Sequence, residues 1–163
     1  YGYTKALAEK LVIKNISEGL KTKVYRWGNV IGSRSSVIPT FIKSLVQDRT
    51  INITSVKMSR FWITMDSVVA FILESPGGFG SFYIPTIKAA TTLRVAETIA
   101  KILNISSYEV KTIGPRPGEK LHEFLKSKHL GGKSSHSSEQ YSDDELIGMI
   151  EPFVKEYQSK GAV

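Results

Sequence analysis

The chain contains no cysteine. That excludes a disulfide scaffold, a thiolate metal site and a cysteine nucleophile. Histidine is scarce: His122, His129 and His136 are too few and too scattered for a zinc cluster. No apolar run approaches the roughly 20 residues of a membrane span, so no membrane segment is expected in this chain. Acidic residues are outnumbered, 15 Asp+Glu against 22 Lys+Arg, which leaves a formal net charge of +7. That excess suits nucleic acid, a small anionic ligand or a plain solvated surface. Nucleic-acid binders concentrate charge in a patch with interleaved aromatics. Here Lys and Arg are spread along the chain, so no nucleic-acid partner is expected.

What is present describes a folded chain. Hydrophobic residues make up 41% of 163 positions, enough for a real core and too many for wholesale disorder. Leu7, Leu11, Val12 and Ile16 recur at helical spacing between Thr4 and Gly19, with Gly19 as the C-cap. Lys23 to Trp27 reads as a strand, Gly28 to Ser36 as a loop and Val37 to Gln47 as a helix. Strands are expected at Thr50–Thr54, Phe61–Thr64, Ser81–Pro85 and Tyr108–Ile113. Helices are expected at Asp66–Glu74, with Val68, Val69, Ile72 and Leu73 inward, and after a cap at Thr91 or Thr92, with Val95, Ile99, Ile102 and Leu103 inward. Glu119 to Lys126 reads as one or two helical turns. Ser127 to Ser138 is composed like a mobile loop. Ser142-Asp143-Asp144-Glu145 has the form of a capping box for a last helix towards Gln158. Strands alternating with helices predict an α/β or α+β fold.

Four segments carry chemistry. Tyr1 and Lys5 stand four apart and share one helical face. An ammonium beside a phenol favours the phenolate, which can take a proton from a sugar hydroxyl. Such a pair also arises on ordinary helices. Arg26-Trp27-Gly28-Asn29-Val30-Ile31-Gly32-Ser33-Arg34 follows, then Met58-Ser59-Arg60-Phe61-Trp62-Ile63-Thr64, then Arg116-Pro117-Gly118-Glu119-Lys120-Leu121-His122-Glu123. Taken singly, Asn29 suits a tight turn, Arg60 a structural ion pair, and Arg116 with Glu119 a surface turn.

In this order and spacing, the four segments resemble the extended short-chain dehydrogenase/reductases. The nearest branch is the polysaccharide-biosynthesis (CapD-like) nucleotide-sugar dehydratases. The resemblance covers the chain to about Glu123 and runs more loosely to the end. It implies the C-terminal part of an NAD(P)-binding Rossmann-type fold plus a smaller α+β substrate-binding region. Residues 1–49 would end the Rossmann-type domain, 50–126 would form the nucleotide-sugar region, 127–140 a flexible loop and 141–163 a C-terminal helix. Departures are Tyr3 where a small residue is usual, Trp27 in place of Tyr or Phe, and the Ser-rich stretch Ser134 to Ser138.

The resemblance further implies a UDP-N-acetylglucosamine 4,6-dehydratase, inverting at C5, in glycan biosynthesis. A UDP-sugar 4-epimerase is the alternative, and a non-catalytic basic binding module a second one. Tyr1 would take the O4 proton as hydride leaves C4 for NADP, or for NAD. Lys5 would hold the cofactor ribose and lower the Tyr1 pKa. The 4-keto group would acidify C5–H, water would leave across C5 and C6, and hydride would return to C6. Tyr1, Lys5, Asn29 and Val30 would meet the cofactor. Asn29, Ser33, Arg34, Arg60, Arg116 and Glu119 would meet the UDP-sugar, the arginines on diphosphate and Glu119 on ribose hydroxyls. Gly77-Gly78-Phe79-Gly80 precedes an expected strand, not a helix, so it is a poor dinucleotide turn. The chain also opens at Tyr1 with no Met, inside a helical pattern. A piece of a longer cytoplasmic homo-oligomer is therefore expected, whose parent could be membrane-anchored upstream. Assayed alone, the 163-residue chain is expected to turn over no UDP-N-acetylglucosamine.

Overall fold

The computed structural model describes residues 2–19, 21–33, 36–78, 82–126 and 132–161. Its elements run α1 (Gly2–Ser17), β1 (Val24–Tyr25), β2 (Asn29–Val30), α2 (Val37–Asp48), β3 (Thr50–Ile53), β4 (Ser59–Ile63), α3 (Met65–Glu74), β5 (Phe82–Tyr83), β6 (Ala89–Thr91), α4 (Thr92–Ile102), β7 (Glu109–Thr112) and α5 (Asp143–Ser159). They group into two compact units, Tyr1–Trp27 with Asp66–Thr86, and Gly28–Met65 with Ile87–Val163.

In the first unit β1 and β5 pair in parallel, Val24 opposite Phe82 and Tyr25 opposite Tyr83. The Tyr25 ring stands edge-on to Phe71 at 5.8 Å, and its hydroxyl lies 2.6 Å from Ser75 Oγ. Lys23 Nζ donates to Pro76 O at 2.7 Å, which ties the end of α3 back to β1. Arg26 donates to both carboxylate oxygens of Glu9 on α1, at 2.7 and 2.6 Å. The expected inward face of α3 is a correction: Val68 is buried, but Val69, Ile72 and Leu73 are exposed. Leu7 and Leu11 of α1 are exposed as well. A 3.6-residue period marks a face fit for burial without supplying the surface that covers it.

The second unit holds the core. β4 is the middle strand of a three-stranded sheet, with β2 parallel on one side and β6 antiparallel on the other. A separate parallel pair joins β3 to β7, Thr50 opposite Glu109. In α2, Ile38, Phe41, Ile42 and Leu45 repeat at helical spacing and are all buried. In α4 the same holds for Val95, Ala96, Ile99 and Ala100, and in α5 for Leu146, Ile150 and Val154. Thr91 caps α4 by accepting from Arg94 N–H. Ser142 and Glu145 form the anticipated capping box on α5, and Lys88 reaches Glu145 at 2.7 Å.

Three local expectations differ from the structure. The loop expected from Gly28 to Ser36 contains β2, because Asn29 and Val30 find Trp62 and Ile63 as partners. The short strand β6 was not anticipated. No helix forms across 119–126. The main-chain groups that a helix would pair locally are taken from outside: Leu121 O accepts from Ser59 N–H and from Arg60, and Glu123 N–H donates to Ser135 Oγ. The Ser-rich stretch is correspondingly no simple loop over its described part. Ser135 is fully buried, and its hydroxyl also donates to Ser59 O at 2.9 Å. Ser59 Oγ in turn lies 2.7 Å from His122 Nδ1. The remainder of that expected loop, 127–131, lies outside the described residues.

Two glycines give opposed expectations. A Cβ on Gly28 would collide with the Phe61 backbone across the β2–β4 pair, whereas nothing lies within 4 Å of one on Gly148 in α5. Gly28→Ala should destabilise by about 1–3 kcal/mol. Gly148→Ala should stabilise by about 0.5–1 kcal/mol. Urea midpoints check both. Burial, and then the neighbouring His136 and Arg60, pull the His122 pKa below its ordinary value. The unfolded chain therefore takes up a proton that the folded chain resists. This share of stability is complete above about pH 6.5 and declines as pH falls towards the lowered folded value. The fall in urea midpoint from about pH 7.5 to about pH 5 should be smaller in His122→Asn.

Candidate functional site

The sequence-predicted residues of the second unit gather around β2, β4 and the segment 116–123. Asn29 sits on β2 opposite Trp62, and Val30 opposite Ile63. The missing Cβ of Gly28 lets β2 approach Phe61 closely. Asn29 Nδ2 donates to Phe61 O at 3.3 Å and to both oxygens of Glu123, at 3.2 and 3.1 Å. The same carboxylate accepts from Phe61 N–H at 3.2 Å and faces Arg60 Nε at 3.7 Å. Glu123 thus gathers Asn29, Phe61 and Arg60 into one network.

Arg60 is turned onto main chain. Its Nη1 donates to Ser59 O at 2.8 Å and Leu121 O at 3.1 Å, and its Nη2 donates to Lys120 O at 2.8 Å. The guanidinium straps the 120–121 peptide to β4, and the side chain is only 13% exposed. A diphosphate would have to compete with those carbonyls for the same donors.

The Arg116–Glu119 turn stands just before this strap. Gly118 has φ +80°, a backbone conformation that glycine adopts without strain. Glu119 N–H donates to Arg116 O at 2.9 Å, and Arg116 N–H donates back to Glu119 Oε2 at 3.1 Å. Thr54 Oγ1 donates to the same carboxylate at 3.3 Å. Glu119 is therefore held by its own turn and by the end of β3. Arg116 is exposed, and among the described residues no carboxylate forms an ion pair with it. Ser33 closes the turn after β2, its N–H donating to Val30 O at 3.3 Å.

Lys5 lies on the first turns of α1, in the other unit, and is exposed. Tyr1 and Arg34 lie outside the described residues. Among the described residues no group of His, Asp and Glu could hold a metal ion, and no helix is long and apolar enough to cross a membrane. Sequence reasoning passed over Glu123, Thr54 and Ser135 as site-building residues. Glu123 and Asn29 are 94 positions apart, and no local pattern joins them. Glu123 does close the Arg-Pro-Gly segment, the one signal that could have singled it out.

The fold and the sequence both have known counterparts. A UDP-N-acetylglucosamine 4,6-dehydratase (inverting) of Campylobacter jejuni is 40% identical over 151 residues, which cover 88% of this chain and 42% of that protein. A UDP-glucose 4-epimerase of Rickettsia bellii is 34% identical over 146 residues, covering 86% of this chain and 42% of that protein. The chain thus spans less than half the length of these curated relatives. The solved dTDP-glucose 4,6-dehydratase of Bacillus anthracis, in complex with NAD, superposes with a TM-score of 0.71 at 16% identity, covering 99% of this chain and 53% of that one. At that identity the likeness shows the fold alone, a mixed α/β architecture shared with that structure. The family described as polysaccharide biosynthesis protein matches residues 1–143, and this chain belongs to it.

Proposed function

We propose that this chain supplies the substrate-binding part of a nucleotide-sugar 4,6-dehydratase that acts on UDP-N-acetylglucosamine with inversion at C5. The observation that carries this reading is the 40% identity over 151 residues to the Campylobacter jejuni dehydratase. The geometry supports it. Glu119, held by Thr54 and its own turn, offers a fixed carboxylate suited to ribose hydroxyls. Arg116 is the exposed guanidinium beside it, with a planar fork that matches phosphate oxygens. The hydrogen bonds of Arg60 favour a strapping role in place of a direct diphosphate contact. Asn29 and Ser33 frame the sugar end, and Val30 carries the backbone beside them.

On this reading proton transfer at the sugar O4 would fall to Tyr1, and Lys5, four positions on in sequence, would hold the cofactor ribose. A nicotinamide cofactor held at Tyr1 and Lys5 would supply the chemistry of hydride acceptance from C4 and return to C6. Within this chain the fit to that cofactor is confined to its ribose end. No Gly-x-Gly-x-x-Gly turn is present to receive the pyrophosphate. NADP is the cofactor we favour, with NAD the alternative raised by the Bacillus anthracis complex. A cytoplasmic location follows from the same reading.

The 4-epimerase reading is favoured by one observation, the 34% identity to the Rickettsia bellii protein. Product analysis separates the two. The protein at its full encoded length, incubated with UDP-N-acetylglucosamine, should yield a 4-keto-6-deoxy sugar; a 4-epimer would overturn the dehydratase reading. Arg116→Ala should weaken UDP binding by about tenfold, the loss of one charge-assisted contact. Titration calorimetry measures it.

A further inference from the structure

We propose that Glu123 is a positioning residue that holds the Asn29 amide with its nitrogen turned inward. Asn29 then offers the ligand an acceptor, and reads a hydroxyl or amide N–H of the sugar instead of a phosphate oxygen. This rests on the reading of Asn29 as a ligand residue given above.

The orientation of an asparagine amide is decided by its neighbours. On its Nδ2 side Asn29 meets three oxygens and no donor: Phe61 O at 3.3 Å, Glu123 Oε1 at 3.2 Å and Glu123 Oε2 at 3.1 Å. Turning the amide over would set Oδ1 against all three, two of which share a negative charge. The carboxylate cannot swing aside to relieve this. It is pinned by Phe61 N–H at 3.2 Å, and Arg60 Nε faces it at 3.7 Å. Arg60 is itself pinned, by Lys120 O and Leu121 O. The whole set hangs from the β4 backbone.

A planar amide with Nδ2 committed inward presents Oδ1 at its other corner. Oδ1 accepts and cannot donate. Among the described residues no group donates to it. A diphosphate oxygen brings no proton at neutral pH, and it would bring negative charge to within reach of the Glu123 carboxylate. A sugar brings several hydroxyls, and an N-acetyl group brings an N–H. The Asn29 corner therefore belongs to the sugar; the diphosphate lies towards the Arg116 guanidinium, and Glu119 is left for the ribose hydroxyls.

Equilibrium binding by the protein at its full encoded length tests this with two probes, UDP and UDP-N-acetylglucosamine. Glu123→Gln puts an NH2 where an oxygen stood and frees the Asn29 amide to turn over. It should weaken UDP-N-acetylglucosamine by about tenfold and leave UDP within about twofold, since one hydrogen bond to the sugar is lost. Asn29→Ser should produce the same selective loss, and in that background Glu123→Gln should add nothing. Retained UDP affinity doubles as the check that each variant is folded. Equal losses for both probes, unchanged binding of both, or a Glu123→Gln effect that persists in Asn29→Ser would overturn the inference and leave the site reading standing. Failure of the unsubstituted protein to bind either probe would overturn both.

Discussion

One half-buried carboxylate organises the candidate site. Glu123 takes donors from a side chain on β2 and a backbone N–H on β4, and faces a guanidinium from β4. An anion so placed must be hydrogen-bonded or it costs several kcal/mol in lost hydration. Its three partners meet that need, and each is fixed in return. The direction of an amide, the path of the 120–121 peptide and the spacing of two parallel strands are thereby coupled. A change to any one of them is felt by the others.

The core beneath serves this arrangement by being rigid. α2, α4 and α5 press buried aliphatic rows against one another, and Trp62 of β4 donates to Ala90 O at 3.2 Å. Tyr141 OH donates to Trp62 O at 2.9 Å and so braces the same strand from outside the sheet. β4 carries Arg60, Phe61 and Ser59, the three residues from which the 116–123 segment is hung. Close packing transmits displacement instead of absorbing it. A binding segment tied to such a strand inherits its precision.

Much of this was legible in the sequence, for physical reasons that are local. The period of Ile38, Phe41, Ile42 and Leu45 writes a helix face into the chain, and Ser142 with Glu145 writes its own cap. The four ordered motifs carried the family, and with it Asn29, Arg60, Arg116 and Glu119. What escaped depends on partners distant in sequence. Nothing near Ser135 announces that it will be fully buried against Ser59, and nothing near Glu119–Lys126 announces that Ser59, Arg60 and Ser135 will claim its backbone. The helical expectation there failed because local periodicity does not register competing long-range hydrogen bonds. The exposed rows on α1 and α3 carry the complementary lesson: amphipathicity states a need and leaves the means open.

Among the described residues, three pairs of strands run parallel, with a consequence for how the chain reaches this state. Val24 must find Phe82, Asn29 must find Trp62, and Thr50 must find Glu109. None of these is a hairpin that a tight turn could nucleate. Each closes a long loop before any ladder bond repays the lost chain entropy. During synthesis β3 leaves the ribosome well ahead of β7 and must wait unpaired. Until then its alternating Ile51 and Ile53 are available to a wrong neighbour, and the nascent chain is exposed to misassembly for as long as β7 is missing.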